Sequence, residues 1–137
     1  MQKLYETQAH VTGGRDGQAR SEDPPLSLDL RMPKALGGPG GGTNPEQLFA
    51  AGYGSCFESA LRLVARTQGV KLPDGSGIRS TVTLSKDETS YVLGVRLEGH
   101  FPGLERAAAE GLMKAAHEVC PYSRATRGNI DVELAVA

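Results

Sequence analysis

A long helix signal occupies the middle of this 137-residue chain, where it begins at Asn44 and ends at Gly69. Asparagine is a favoured residue at the N-terminal cap of a helix, and Pro45 suits the first helical position. Glycine is typical of the position that follows the last helical turn. We therefore predict one helix over residues 45–68.

The composition of this helix restricts where it can lie. From Leu48 to Leu61 its only charged residue is Glu58, and several small residues permit the close approach of another backbone. A helix with so little polar surface is expected to be buried nearly all round. Because a chain of this size can hardly bury such a helix alone, we infer that a second copy helps to cover it.

Strand and second-helix signals fill the rest of the chain. Apolar and polar residues alternate, as strands with one buried face require, over residues 5–11, 26–32, 82–84, 91–97 and 130–136. A second helix is predicted over 103–119, because its apolar residues recur at three- and four-residue steps and Pro121 ends it near Cys120. The order of these elements predicts an α+β fold with largely antiparallel sheets.

Length and charge exclude several classes of protein. A chain of 137 residues is expected to form a single domain, 1–137. With 15 basic and 16 acidic residues it has no broad basic surface for nucleic acid or an anionic membrane. The first residues lack the apolar core of a signal peptide, and no apolar stretch is long enough to span a bilayer. We expect a cytoplasmic protein whose partner is a small molecule or another protein.

The chain has two cysteines, Cys56 within the first predicted helix and Cys120 at the exit of the second. In a reducing compartment such a pair can be redox-active, can bind a metal, or can consist of buried hydrophobic residues. Burial alone raises the pKa of Cys56 above the usual value of about 8.5, which would leave the thiol inert at pH 7. Its chemistry therefore depends on a nearby positive charge.

Arg15 is the candidate for that charge, because it lies in the glycine-rich turn Thr12–Gly17. Lowering the pKa of a thiol by about 2.5 requires roughly 3.4 kcal/mol. One cation about 4 Å away supplies about 4 kcal/mol at an effective dielectric constant near 20. One well-placed guanidinium would therefore suffice, although a turn arginine that only contacts solvent remains the alternative.

Glu46 has two possible roles at the start of the first predicted helix. Its carboxylate can interact with the helix dipole, or it can orient Arg15 through a bidentate ion pair. Ten residues separate Glu46 from Cys56 on one helix, about 15 Å along its axis. If Glu46, Arg15 and Cys56 share a site, the simplest arrangement takes Glu46 from a partner subunit.

Other side chains near the cysteines have less specific signals. His117 and Cys120 share a helix face and could join Cys56 as zinc ligands, but a convincing fourth ligand is missing, so we predict no metal site. Tyr53 and Phe57 flank Cys56 and could either line an apolar substrate pocket or pack in the core. We include both, with Tyr122, as candidate substrate-binding residues.

Two segments resemble the signatures of the OsmC/Ohr superfamily: Asn44–Phe57, NPEQLFAAGYGSCF, and Cys120–Val132, CPYSRATRGNIDV. With Thr12–Gly17 in register, the resemblance covers nearly the whole chain. Tyr122 and the residues that follow it favour the organic hydroperoxide resistance branch. Arg124 departs from the asparagine more usual in that branch, next to the second cysteine.

This resemblance implies an OsmC-like fold in an intertwined homodimer, with the long helix buried at its centre. It implies a thiol-dependent peroxidase in which Cys56 attacks the peroxide, Cys120 resolves the resulting sulfenic acid to a disulfide, Arg15 activates Cys56 and Glu46 holds Arg15. The implied substrates are organic and fatty-acid hydroperoxides. The implied reductant is dihydrolipoamide, free or on lipoylated proteins, with no bound cofactor.

Two alternatives to a peroxidase remain open. A general thiol-disulfide oxidoreductase would also use two cysteines, although these are not a Cys-x-x-Cys pair. A ligand-binding or metal-binding domain without enzymatic activity would merely bury them. The response of the free thiols to organic peroxide and to zinc separates the three possibilities.

Overall fold

The computed structural model describes all residues from 1 to 137 and has three helices and two small sheets. The mixed α+β class predicted from the sequence is confirmed. The residues form two compact units, Met1–Leu48 and Phe49–Ala137. None of the helices is both long and apolar enough to cross a membrane.

The first unit contains an antiparallel sheet of three short strands, β1 (His10–Thr12), β2 (Gln18–Glu22) and β3 (Pro25–Asp29). A 3-10 turn, Gly14–Asp16, joins β1 to β2 and carries Arg15. The predicted strand over 5–11 is wrong for residues 5–9, which have no strand partner within the chain. Strand β2 was not predicted, because only one of its five residues is buried.

The first helix, α1 (Pro45–Thr67), agrees with the prediction to within one residue. The Oδ1 atom of Asn44 accepts a hydrogen bond of 2.9 Å from the backbone N–H of Gln47, which caps the first turn as expected. Burial is confined to one face of the helix, and Leu48 and Leu63 are 38% and 52% exposed. A single chain therefore covers only one face of α1, and the expectation that a second copy covers the rest stays a prediction.

The second unit continues with β4 (Gly77–Lys86), β5 (Tyr91–His100), α2 (Arg106–Val119), α3 (Pro121–Thr126) and β6 (Val132–Val136). Strand β5 lies in the centre of the sheet, antiparallel to β4 and parallel to β6. Helix α2 begins three residues later than predicted, because Gly103 has a positive φ in the turn before it. Pro121 ends α2 as expected, but it also occupies the first position of α3.

One hydrophobic core fills this unit. It combines the buried face of α1 with one face of β5 and the apolar side of α2, and Cys120 belongs to it. Gly54 of α1 contributes to this packing, because a Cβ atom there would lie 3.2 Å from the side chain of Ser80 on β4. The core thereby fixes α1, which carries Cys56, against the segment that carries Cys120.

Candidate active site

The two cysteines meet between α1 and the junction of α2 with α3. The Sγ atoms of Cys56 and Cys120 are 3.7 Å apart, and both thiols are free. Cys120 is fully buried, whereas Cys56 is partly exposed. A disulfide requires a separation of about 2.05 Å, so a small local movement would join them.

The environment of Cys56 raises the pKa of its thiol in this chain. Burial raises the pKa of Cys56, the backbone N–H of Tyr122 acts in the opposite direction, and the neighbouring thiol of Cys120 adds to the increase. The nucleophilic form of cysteine is the thiolate. A further positive charge is therefore needed before Cys56 can react rapidly near pH 7.

Arg15 and Glu46 form a bidentate ion pair within the first unit. The two hydrogen bonds from the guanidinium to the carboxylate oxygens are 2.6 and 2.7 Å long. Hydrogen bonding by Arg15 lowers the pKa of the Glu46 carboxyl below its usual range. Both residues belong to the same chain, and the hypothesis that Glu46 reaches Cys56 from a partner subunit stays a prediction.

The candidate substrate-binding residues differ in burial. Tyr53 and Phe57 are fully buried in the core, so neither ring has surface that a substrate could contact in this chain. Tyr122 is 40% exposed and lies against α1, where a Cβ atom at Gly52 would be only 3.0 Å from its Oη. Of the three residues, Tyr122 alone offers exposed surface beside the thiols.

Tyr122 belongs to an aromatic cluster with Phe49 and Tyr53. The ring of Tyr122 lies 6.5 Å from Phe49 and 5.7 Å from Tyr53, measured between centroids. Tyr122 and Phe49 also line a cavity of about 480 Å³ with mixed polar and apolar walls, which include Tyr91 and Leu93. An apolar molecule could therefore approach the exposed side of this cluster.

A buried polar network that the sequence did not predict lies behind the thiols. Ser123 Oγ is 3.0 Å from Tyr53 Oη and 2.8 Å from His117 Nδ1. Thr126 Oγ1 is 3.0 Å from the same Tyr53 Oη. His117 is thus engaged with a serine, and no three side chains among His, Cys, Asp and Glu are grouped so as to hold a metal ion.

These features define a class of protein: an α+β chain with a buried and a partly exposed thiol close together and with a bidentate arginine-glutamate pair. The family model for OsmC-like proteins matches residues 38–135. The chain belongs to the OsmC-like family and, within it, to the organic hydroperoxide resistance branch.

Relatives that match over nearly their whole length support this assignment. The organic hydroperoxide resistance protein of Xanthomonas axonopodis pv. citri is 48% identical over 98% of this chain and 95% of its own length. Organic hydroperoxide resistance protein OhrA of Bacillus subtilis is 48% identical, with 99% and 98% covered. A crystal structure of an organic hydroperoxide resistance protein from Legionella pneumophila is 52% identical, covers 99% of both chains and superimposes with a TM-score of 0.92.

Proposed function

We propose that this chain is a thiol-dependent peroxidase that reduces organic hydroperoxides, including those of fatty acids, to alcohols. The observation that carries the proposal is the 3.7 Å separation between Cys56 Sγ and Cys120 Sγ. Relatives named organic hydroperoxide resistance proteins, which match over nearly the whole chain, support the choice of substrate. The aromatic surface that Tyr122 and Phe49 present to the cavity they line suits an organic peroxide better than hydrogen peroxide.

In the proposed reaction, Cys56 is the nucleophile. Its thiolate attacks the peroxide oxygen distal to the organic group, the O–O bond breaks, and the alkoxide leaves and takes up a proton to become the alcohol. Cys56 is oxidised to a sulfenic acid. The Cys120 thiol then attacks this sulfur, which forms the Cys56–Cys120 disulfide and releases water.

Arg15 supplies the positive charge that Cys56 lacks, and Glu46 holds its guanidinium in a fixed plane. Glu46 lies in the first turn of α1 and Cys56 ten residues further along the same helix, about 15 Å away along its axis. We therefore assign the ion pair of one chain to the thiols of a second chain. The exposed face of α1 gives such a homodimer apolar surface to bury.

A dithiol completes the cycle by reducing the disulfide. Dihydrolipoamide, free or bound to a lipoylated protein, is the proposed reductant, and it leaves as the cyclic disulfide while both protein thiols are restored. Two free cysteines that must return to the reduced state suit the cytoplasm, which we propose as the location. No bound cofactor takes part in this scheme.

The test counts free thiols after reduced protein is mixed with one equivalent of cumene hydroperoxide. The proposal predicts the loss of two thiols per chain, and a trapped sulfenic acid in Cys120→Ser. Cys56→Ser should keep its remaining thiol and consume no peroxide. Thiols that stay unchanged in the unmodified protein would refute the peroxidase, and equal rates with hydrogen peroxide would refute the preference for organic substrates.

A further inference from the structure

The buried polar network behind the thiols joins three helices through Ser123. Ser123 lies in α3 and is fully buried, and its Oγ contacts Tyr53 of α1 and His117 of α2. Thr126, one turn further along α3, contacts the same Tyr53 hydroxyl. The network therefore ties α3 to both of the longer helices.

The spacing of these residues relates the network to the thiols. Tyr53 lies three residues before Cys56, and His117 lies three residues before Cys120. Ser123 lies three residues after Cys120, on the other side of the α2–α3 junction. Residues three apart on a helix share a face, so the network braces both segments that present the two sulfur atoms.

Each hydroxyl in the network has one proton to donate, which fixes the direction of every hydrogen bond. Thr126 Oγ1 donates to the carbonyl oxygen of Ser123 at 3.2 Å, so it must accept from Tyr53 Oη. Tyr53 Oη has then used its proton and must accept from Ser123 Oγ. Ser123 Oγ in turn accepts from His117, which therefore carries a proton on Nδ1.

Every hydroxyl in this chain of hydrogen bonds donates once and accepts once. Removing the Ser123 hydroxyl leaves the Nδ1–H of His117 without its acceptor and Tyr53 without its donor. An unpaired polar group in a buried setting is costly, so the segments around it would shift to find partners. The shift would fall on the α2–α3 junction, where Cys120 lies.

We propose that Ser123 is a positioning residue, which holds Cys120 within reach of Cys56 by bridging Tyr53 and His117. The inference rests on the proposed function for its place in a catalytic cycle. Ser123 would set the effective concentration of one thiol at the other, whatever oxidant the protein meets. This role can therefore be tested without peroxide.

The test measures the equilibrium between the purified protein and a glutathione redox buffer. One glutathione disulfide oxidises the two protein thiols to the Cys56–Cys120 disulfide and leaves as two reduced glutathione molecules. In Ser123→Ala the equilibrium constant for disulfide formation should fall about tenfold, because the buried hydroxyl that bonds to both Tyr53 and His117 is lost. Ser76→Ala is the matched control, since Ser76 also donates one part-buried hydrogen bond, to Pro73, outside the network.

Tyr53→Phe provides a second variant, which keeps the ring in the core and removes only the hydroxyl. It should also lower the equilibrium constant, even if Ser123→Ala fails to fold. A role confined to stability would destabilise the reduced and oxidised forms equally, so an unchanged constant in the folded variants overturns the proposal. If the unmodified protein forms the disulfide in glutathione but consumes no peroxide, the proposed function fails while this inference stands.

Discussion

Arg15 and Glu46 form a two-pronged pair, with two of the five guanidinium N–H donors engaged by the two carboxylate oxygens. Such a fork fixes the orientation of the guanidinium, which a single hydrogen bond would not. The other three donors remain able to serve an anion. A thiolate that approaches from outside this unit would meet a guanidinium whose orientation is already fixed.

Replacing Arg15 with Gln should therefore slow the reaction of Cys56 with iodoacetamide. In the proposed role of Arg15, its removal leaves the raised pKa of Cys56 without a compensating charge. We expect a decrease of about tenfold or more at pH 7, and a pH profile displaced upward by one unit or more, since each unit corresponds to about 1.4 kcal/mol. The measurement is made with Cys120→Ser in the background, so that only Cys56 reacts.

Arg20→Gln is the control for this experiment. Arg20 is an exposed arginine of β2 whose guanidinium bonds to Gln18, so its loss removes an equal charge away from Glu46. Its profile should match that of the parent protein. Identical profiles for Arg15→Gln and Arg20→Gln would contradict the activating role of Arg15.

Glu46→Gln should lower the free energy of unfolding at pH 7. It should also reduce the change in that free energy between pH 7 and pH 3. Because Arg15 lowers the pKa of Glu46 in the folded chain, the pair stabilises the fold above the unfolded pKa, about 4.3. This contribution disappears as the pH falls through the lowered folded value. For a partly exposed pair we expect roughly 1 kcal/mol at pH 7, measured by urea unfolding between pH 3 and 7.

Glu133→Gln serves for comparison, since the carboxylate of Glu133 is well exposed beside Arg96. Its substitution should cost less than that of Glu46. Curves for the two variants that coincide at every pH would show that the bidentate geometry has no energetic effect.

Gly52→Ala should stabilise the chain less than Gly111→Ala, although both glycines lie within helices. Alanine gains up to about 1 kcal/mol over glycine through helix propensity. At Gly111 nothing lies within 4 Å of the added methyl group, whereas at Gly52 it would meet Tyr122 Oη at 3.0 Å. Free energies of unfolding from denaturant titration test this, and an equal gain at both positions would mean that Tyr122 moves aside without cost.

Stability should rise with pH through the range in which His117 titrates. Burial lowers the pKa of His117, and the charge of Arg127 adds to the decrease, so the folded chain binds fewer protons than the unfolded chain. The contribution of His117 to stability is therefore fully present above the unfolded pKa, about 6.5. It declines as the pH falls towards the folded pKa. Urea unfolding between pH 5 and 8 measures this slope.

His117→Gln should remove most of that slope, whatever its effect on absolute stability. His100→Gln replaces an exposed histidine at the end of β5 and should leave the slope unchanged. If the parent protein and His117→Gln have parallel curves, the dependence arises elsewhere.

The clearest elements were predictable because local chemistry decides them. Helix α1 begins at a proline next to a capping asparagine and ends before a glycine with positive φ, and its bounds follow from these residues. Strand β2 was not predictable in this way, because its residues do not alternate between apolar and polar. It is held in the sheet by hydrogen bonds to β1 and β3. Helix α3 was missed because Pro121, which ends one helix, also starts another.

The site was predictable in its members but not in its arrangement. Cys56, Cys120, Arg15 and Glu46 were identified by residue type and by resemblance, and whether they act together remains a prediction. The distance between the thiols depends on packing across 64 residues of sequence, which no local pattern encodes. Ser123 and Thr126 were invisible for the same reason, because polar residues in a short helix carry no sign that they are buried.

The aromatic cluster of Phe49, Tyr53 and Tyr122 gives the chain an optical reporter of its own. There is no tryptophan to mask tyrosine emission, and two of the four tyrosines belong to this cluster. Tyr53 precedes Cys56 by three residues and Tyr122 follows Cys120 by two. A change in sulfur oxidation therefore takes place beside half of the fluorophores, so the redox state of the unlabelled protein can be followed by its ultraviolet emission.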